Sequence, residues 1–183
     1  MPRSSKRRED RALEKAQRTL ATEPAILNLP YDPMQLLLEG PIIFTDLGVT
    51  EIHSAALRHA GQPVPPKIRV RFLLDTGADS CVIRHDIAER AGLKLIETGV
   101  PIQGVGVDTT GRVYMGRIWF GIESRRVPGA SHLVAIDTRI FSGTLPSPRL
   151  DGLIGRDVLR FFEMTYNGKT GHVRIKYFKT QSV

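Results

Sequence analysis

Residues 72–80 read Phe72-Leu73-Leu74-Asp75-Thr76-Gly77-Ala78-Asp79-Ser80, and the reading of the whole chain turns on them. Upstream, Lys67-Ile68-Arg69-Val70-Arg71-Phe72 alternates polar and apolar residues, as a half-buried strand does, and becomes fully apolar as it nears Asp75. A strand that ends in Asp-Thr-Gly delivers a carboxylate from a rigid element to the floor of a cleft. Gly77 lets the chain turn sharply and lets a substrate approach closely. Thr76 adds a hydroxyl that both donates and accepts.

Downstream, Cys81-Val82-Ile83 predicts a short strand, and His85 to Ala91 about two helical turns closed by Gly92. Val100 to Phe120 reads as a hairpin, its tip drawn from Gly104, Gly106, Asp108, Thr109, Thr110 and Gly111. His132 to Ile136 is a further strand, and Ser142 to Arg149 a loop carrying Pro146 and Pro148. Leu153-Ile154 is a short strand entering a brief helix near Asp157–Phe161. Phe162–Tyr166 and His172–Phe178 form a C-terminal hairpin. Upstream of the motif, Ile42-Ile43-Phe44 and Val49–Ile52 suit β-structure. Many short strands with turn signals imply a mostly-β, closed barrel of a single lobe with one or two short helices. The domain boundaries expected are 40–180 for the barrel and 1–39 for a basic tail and a Pro-punctuated connector, partly disordered or helical.

Bulk properties narrow the class. The chain has 183 residues, 41% hydrophobic and 25% charged, ordinary for one globular domain with a tail. Its one cysteine, Cys81, permits no internal disulfide. No apolar run approaches the roughly 18 residues of a membrane-spanning helix, and the basic N-terminus is not followed by a secretory core, so a cytoplasmic location is expected. Residues 1–20 hold seven basic and three acidic side chains, a net four of the chain's +7. Such a tail is either a solvated extension or a contact for nucleic acid or an acidic partner.

The second informative stretch is Asp151-Gly152-Leu153-Ile154-Gly155-Arg156-Asp157-Val158-Leu159. Paired with Asp75-Thr76-Gly77-Ala78, it makes the chain resemble the retroviral-type (retropepsin-like) aspartic proteases over about residues 40–178. That family joins an Asp-Thr-Gly-Ala segment to a later apolar-apolar-Gly-Arg-Asp/Asn stretch. The resemblance implies that Asp75 is the catalytic aspartate and that Thr76 bonds across a dimer axis to its copy. It implies that Gly77 and Asp79 contact substrate backbone and that Gly104, Val105 and Gly106 form a flap over the peptide. It further implies that Arg156 reaches back to Asp79 in a buried ion pair, with Ala78, Gly155 and Asp157 supporting the loop. The long leader, the helix-like insert after Ile83 and a flap tip carrying Asp108-Thr109-Thr110 depart from the viral pattern and look closer to cellular and bacterial relatives.

Peptide hydrolysis by carboxylates needs one group to take a proton from water while another gives one to the carbonyl. Two carboxylates about 3 Å apart share one proton, as in aspartic proteases generally, and titrate as a unit. The chain carries the motif once. Asp137-Thr138-Arg139 has bulk where the turn needs glycine, and Asp46-Leu47-Gly48 lacks the hydroxyl. A working site therefore calls for a homodimer with Asp75 from each subunit at the two-fold axis and a protein or peptide as substrate. No metal or organic cofactor is implied, because no Cys or His cluster has ligand spacing and the five histidines are scattered. A second reading keeps the same fold as a catalytically silent dimerisation or peptide-binding module. Asp157 is expected to cap the short helix, Cys81 to pack as a small apolar residue, and Trp119 and Phe120 to lie in the core.

Overall fold

The computed structural model describes residues 3–104, 107–124, 126–127, 129–145 and 147–177. Helix α1 (Arg3–Thr22) leads, with Arg8, Arg11, Lys15 and Arg18 exposed along it. Strand β1 (Ala25–Pro30) and helix α2 (Pro33–Glu39) follow, then β2 (Ile42–Gly48), α3 (Glu51–His59), β3 (Ile68–Leu74), β4 (Cys81–Ile83) and α4 (His85–Arg90). The long strands β5 (Lys94–Gly104), β6 (Val107–Glu123) and β7 (Ser131–Ser142) come next. The chain ends through β8 (Gly152–Ile154), α5 (Arg156–Leu159), β9 (Phe162–Asn167) and β10 (His172–Tyr177). Among the described residues, no helix is long and apolar enough to cross a membrane.

Six strands close a barrel in the order β2-β3-β8-β4-β7-β6, because β6 pairs back onto β2 from Asp46↔Trp119 to Gly48↔Arg117. Strand β5 hangs on β6 outside the closed ring. The fold is thus the expected mostly-β closed barrel. Its core is the set of alternate residues on these strands. Val70, Phe72 and Leu74 point inward from β3 to meet Ile83, Ile118, Phe120, Ile140 and Ile154, all buried. The alternation of residues 67–72 therefore marks a strand with one face in the core. A second sheet, β1-β10-β9, packs below it, with Phe120 and Phe162 edge-to-face at 5.0 Å.

Strand β8 decides the architecture of the site. It lies parallel to β3, Phe72 opposite Gly152 and Leu74 opposite Ile154, and antiparallel to β4, Val82 opposite Leu153. The strand leading out of the second motif's first glycine is therefore hydrogen-bonded beside the strand that ends at Asp75. Gly152 is needed for that approach: a Cβ there would lie 2.8 Å from the Val82 carbonyl oxygen and against the Phe72 ring.

Four local expectations need correction. The Pro-punctuated connector carries a strand as well as a helix. Residues 25–30 pair with β10, from Ala25↔Tyr177 to Pro30↔His172, and Asp32 caps α2 by accepting from the Met34 and Gln35 N–H groups at 2.9 and 3.0 Å. Its prolines mark the end of a strand and the first turn of a helix, positions where a missing N–H costs nothing. Tyr31 ties this segment to the barrel by donating to the Ile42 carbonyl at 2.6 Å, and burial pushes its hydroxyl up to about 12. Next, Val49–Ile52 does not extend a strand. Thr50 accepts from the His53 N–H at 3.2 Å and starts α3, so a side-chain cap overrides the β-branched propensity. Third, Asp108 to Gly111 are not the hairpin tip but strand residues, paired with Gln103 to Val100. Finally, among the described residues the barrel carries three helices, α3, α4 and α5, where one or two are expected, while α1 and α2 lie in the leader.

Candidate active site

The apolar end of β3 is clamped on both sides before the chain turns. The Leu74 N–H donates to the Pro41 carbonyl at 2.9 Å, and the Asp75 N–H donates to the Ile154 carbonyl at 3.0 Å. The turn that follows folds on the aspartate itself. The Gly77 N–H donates to Asp75 Oδ1 at 2.8 Å, and the Ala78 N–H to the Asp75 carbonyl at 3.3 Å. A Cβ on Gly77 would stand 3.1 Å from Asp75 Oδ1, so glycine keeps that approach open. Asp75 is half-buried, whereas Thr76 and Gly77 are exposed. The carboxylate is held from below and presented outward.

Helix α5 supplies the support. Its first N–H groups have no partner within the helix, and the turn provides them. Arg156 N–H donates to the Ala78 carbonyl at 2.9 Å and Asp157 N–H to the Asp79 carbonyl at 3.1 Å. The helix approaches this closely because its N-cap is Gly155, where a Cβ would lie 2.5 Å from Ser80 C and 2.8 Å from Ser80 N. The Gly155 φ of −86° is ordinary, so close approach, not backbone conformation, demands glycine. The Arg156 guanidinium donates to the Thr76 carbonyl at 2.7 Å and forms an ion pair with Asp79. That pair is not buried in the single chain, since the two side chains are 53% and 82% exposed. An exposed pair contributes little by itself; the bond to the Thr76 carbonyl is the firmer tie.

Asp157 does more than its expected role. Its Oδ1 accepts from the Val158 N–H in the first turn of α5 at 3.0 Å. Its carboxylate accepts from the Cys81 N–H at 3.1 Å, from the Cys81 thiol at 3.3 Å and from the Thr138 hydroxyl at 3.0 Å. It therefore fastens α5 to β4 and β7 behind the turn. Burial, and then the Asp157 charge, push the Cys81 thiol well above its ordinary value, so it stays a neutral donor. Cys81 is fully buried, as a packed residue of this kind would be.

Two residues without an assignment from sequence also matter. Asp151 spans β3 and β4: its carboxylate accepts from the Arg71 N–H at 3.0 Å and its carbonyl from the Arg84 N–H at 3.0 Å. Thr138 completes the Asp157 set. Neither role is visible in sequence, since each acts through a partner on a different element. The rival carboxylates are engaged elsewhere. Asp137 holds Arg117 in a bidentate pair at 2.5 and 2.9 Å, and Asp46 pairs with Arg69 at 3.1 Å. Gly104 ends β5 at the hairpin opposite Val107, while Val105 and Gly106 lie outside the described residues.

The arrangement thus offers the Asp75 carboxylate on a turn braced from beneath by a Gly-Arg-Asp helix start. An aspartyl protease family model matches residues 57–158, which is more than half the chain and includes both motifs. No curated protein matches the chain. With both motifs, the closed single-lobe barrel and this match in agreement, the chain belongs to the aspartyl protease family of retropepsin-like type.

Proposed function

We propose that the protein is an aspartic endopeptidase working as a homodimer, with Asp75 of each subunit facing its mate across the two-fold axis. The observation that carries this reading is the Asp75 carboxylate itself: half-buried, bonded only to the Gly77 N–H among the described residues, and supplied once per chain. A single carboxylate cannot act as base and acid in one step. In the dimer one Asp75 takes a proton from the bridging water, which attacks the peptide carbonyl carbon. The other, protonated, gives its proton to the carbonyl oxygen. Collapse of the tetrahedral intermediate, with proton return to the leaving nitrogen, breaks the C–N bond and restores the shared proton.

In this reading Thr76 bonds across the axis, Gly77 and Asp79 meet the substrate backbone, and the hairpin tip at Gly104, Val105 and Gly106 covers the peptide. Ala78, Gly155, Arg156 and Asp157 act only by holding the turn. A peptide-library digest at mildly acidic and neutral pH tests the proposal, with Asp75→Asn and a pepstatin-like inhibitor as controls. Cleavage by the wild type that vanishes in a folded Asp75→Asn dimer is the expected result. Cleavage that survives the substitution sinks the assignment, and no cleavage by a folded wild-type dimer turns the reading to a silent binding module. Activity per subunit should also collapse on dilution into the monomeric regime. A rate still proportional to concentration there contradicts a shared site.

A further inference from the structure

At the root of the β5–β6 hairpin lies a cavity of about 420 Å³, lined among others by His85, Thr98, Thr110, Arg112, Ser142 and Thr144. Among the described residues, neither Asp75 nor any other carboxylate lines it. The strand register places it on the face of the hairpin opposite Ile102. Ile102 Cδ1 lies under the position a Gly111 Cβ would take and within 3.7 Å of the one at Gly143. Alternation along β6 sends Thr110 and Arg112 to the opposite face, and Thr98 stands opposite Arg112 on β5.

The polar groups that converge there are donors. The guanidinium of Arg112 bonds to His85 Nε2. His85 Nδ1 lies 2.8 Å from the Tyr114 hydroxyl. The bond to Nε2 leaves Arg112 with further N–H groups. Ser142 is only 6% exposed and accepts from the Arg112 backbone N–H at 3.3 Å, which leaves its own hydroxyl proton to give. The hydroxyls of Thr98, Thr110 and Thr144 have no partner among the described residues. The nearest acidic competitor is Glu89 on α4, its Oε1 3.0 Å from His85 Nε2 and 3.9 Å from Arg112, and its side chain is 63% exposed. A guanidinium and a ring of hydroxyls around a space without carboxylates suit an anion, with charge-assisted bonds as the main attraction.

We infer that this cavity binds a small anionic group, a carboxylate or a phosphate, held by Arg112 and Ser142 with the threonine hydroxyls around it. Its occupant bridges the hairpin (Thr98, Thr110, Arg112), the segment after β7 (Thr144) and α4 (His85), and so braces the hairpin root. The site does not involve Asp75 and stands apart from the protease reading.

The test is titration of the full-length Asp75→Asn protein with inorganic phosphate and, separately, with acetate. Amide shifts of Gly99, Gly111 and Gly143 are followed by NMR at constant ionic strength. Saturable shifts at these glycines are expected with at least one of the two anions, which names the class bound. Affinity should fall at least tenfold in Arg112→Gln and at least threefold in Ser142→Ala. Shifts that rise linearly without saturation for both anions, or equal affinity in Arg112→Gln, overturn the inference. Should Arg112→Gln fail to fold, the paired surface variant Thr98→Val/Thr144→Val takes its place: weakened binding supports the site and unchanged binding refutes it.

Discussion

The Arg156 guanidinium donates to the Thr76 carbonyl at 2.7 Å across 80 positions of sequence, and this bond joins the two motifs directly. It fixes the backbone one residue past Asp75 from the far side of the turn. The carboxylate's aim therefore depends on a side chain that need never touch substrate.

Arg156→Gln is expected to cost about 1–2 kcal/mol of stability, the scale of one charge-assisted hydrogen bond at a partly exposed site. Its effect on turnover should be larger than its effect on substrate KM, because it loosens the geometry of Asp75 rather than a substrate contact. Arg156→Lys should recover only part of the loss, since an ammonium cannot serve the Thr76 carbonyl and Asp79 with one planar fork. Denaturation and steady-state kinetics on the variants check this.

Gly155→Ala should cost about 2–4 kcal/mol, because the added methyl meets Ser80 backbone atoms at 2.5–2.8 Å and backbone cannot step aside as a side chain would. Gly61→Ala serves as the opposite case. A Cβ there meets nothing within 4 Å, and only its φ of +66° opposes the change. Chemical denaturation of both variants measures the contrast. A Gly155→Ala protein as stable as wild type would contradict the close approach of α5 to the turn.

Asp157→Ala strips the acceptor from the Cys81 N–H, the Cys81 thiol, the Thr138 hydroxyl and the Val158 N–H together, and should destabilise by about 3 kcal/mol. Asp157→Asn keeps one acceptor oxygen and should cost about 1 kcal/mol. Equal losses in the two variants would show that the charge, not the hydrogen-bond set, is what matters.

The buried Cys81 thiol gives stability a sign in alkali. Burial and the Asp157 charge raise its folded-state value, so above the unfolded thiol's pKa of about 8.5 the folded chain holds a proton that the unfolded chain has lost. Stability is thus fully present below that pH and declines as pH rises, with a limiting slope of about 1.4 kcal/mol per pH unit. Tyr31, raised to about 12 by burial, adds a decline of the same sign above about pH 10. Cys81→Ser, which keeps a donor toward Asp157 but does not titrate, should flatten the profile between pH 8 and pH 10. Urea melts across that range measure it.

Much of the barrel is legible in local signals. The alternation of residues 67–72, the apolar run into Asp75, the Gly92 C-cap and the turn at 167–171 each act over a few residues, and each stands where expected. The errors share one cause. Pro30, Asp32 and Pro33 look like punctuation because nothing local reveals that residues 25–30 pair with β10, more than a hundred positions away. Thr50 looks like a strand residue until its hydroxyl is seen capping α3. Asp108 to Gly111 look like a tip because their partners Val100 to Gln103 extend the ladder further than turn composition suggests.

What the sequence alone determined is where the two family motifs lie: a strand-borne Asp-Thr-Gly and a Gly-Arg-Asp helix start, each recognisable from covalent neighbours and backbone preference. What only the tertiary structure decided is how they meet. Strand β8 slides between β3 and β4, Arg156 bonds to the Thr76 carbonyl instead of relying on a buried pair with Asp79, and Asp157 reaches Cys81 and Thr138 as well as the Val158 N–H of its own helix. The physical reason is that hydrogen-bond partners of buried or closely packed groups are chosen by whichever donors the fold brings within about 3 Å, and no window of neighbouring residues contains that choice.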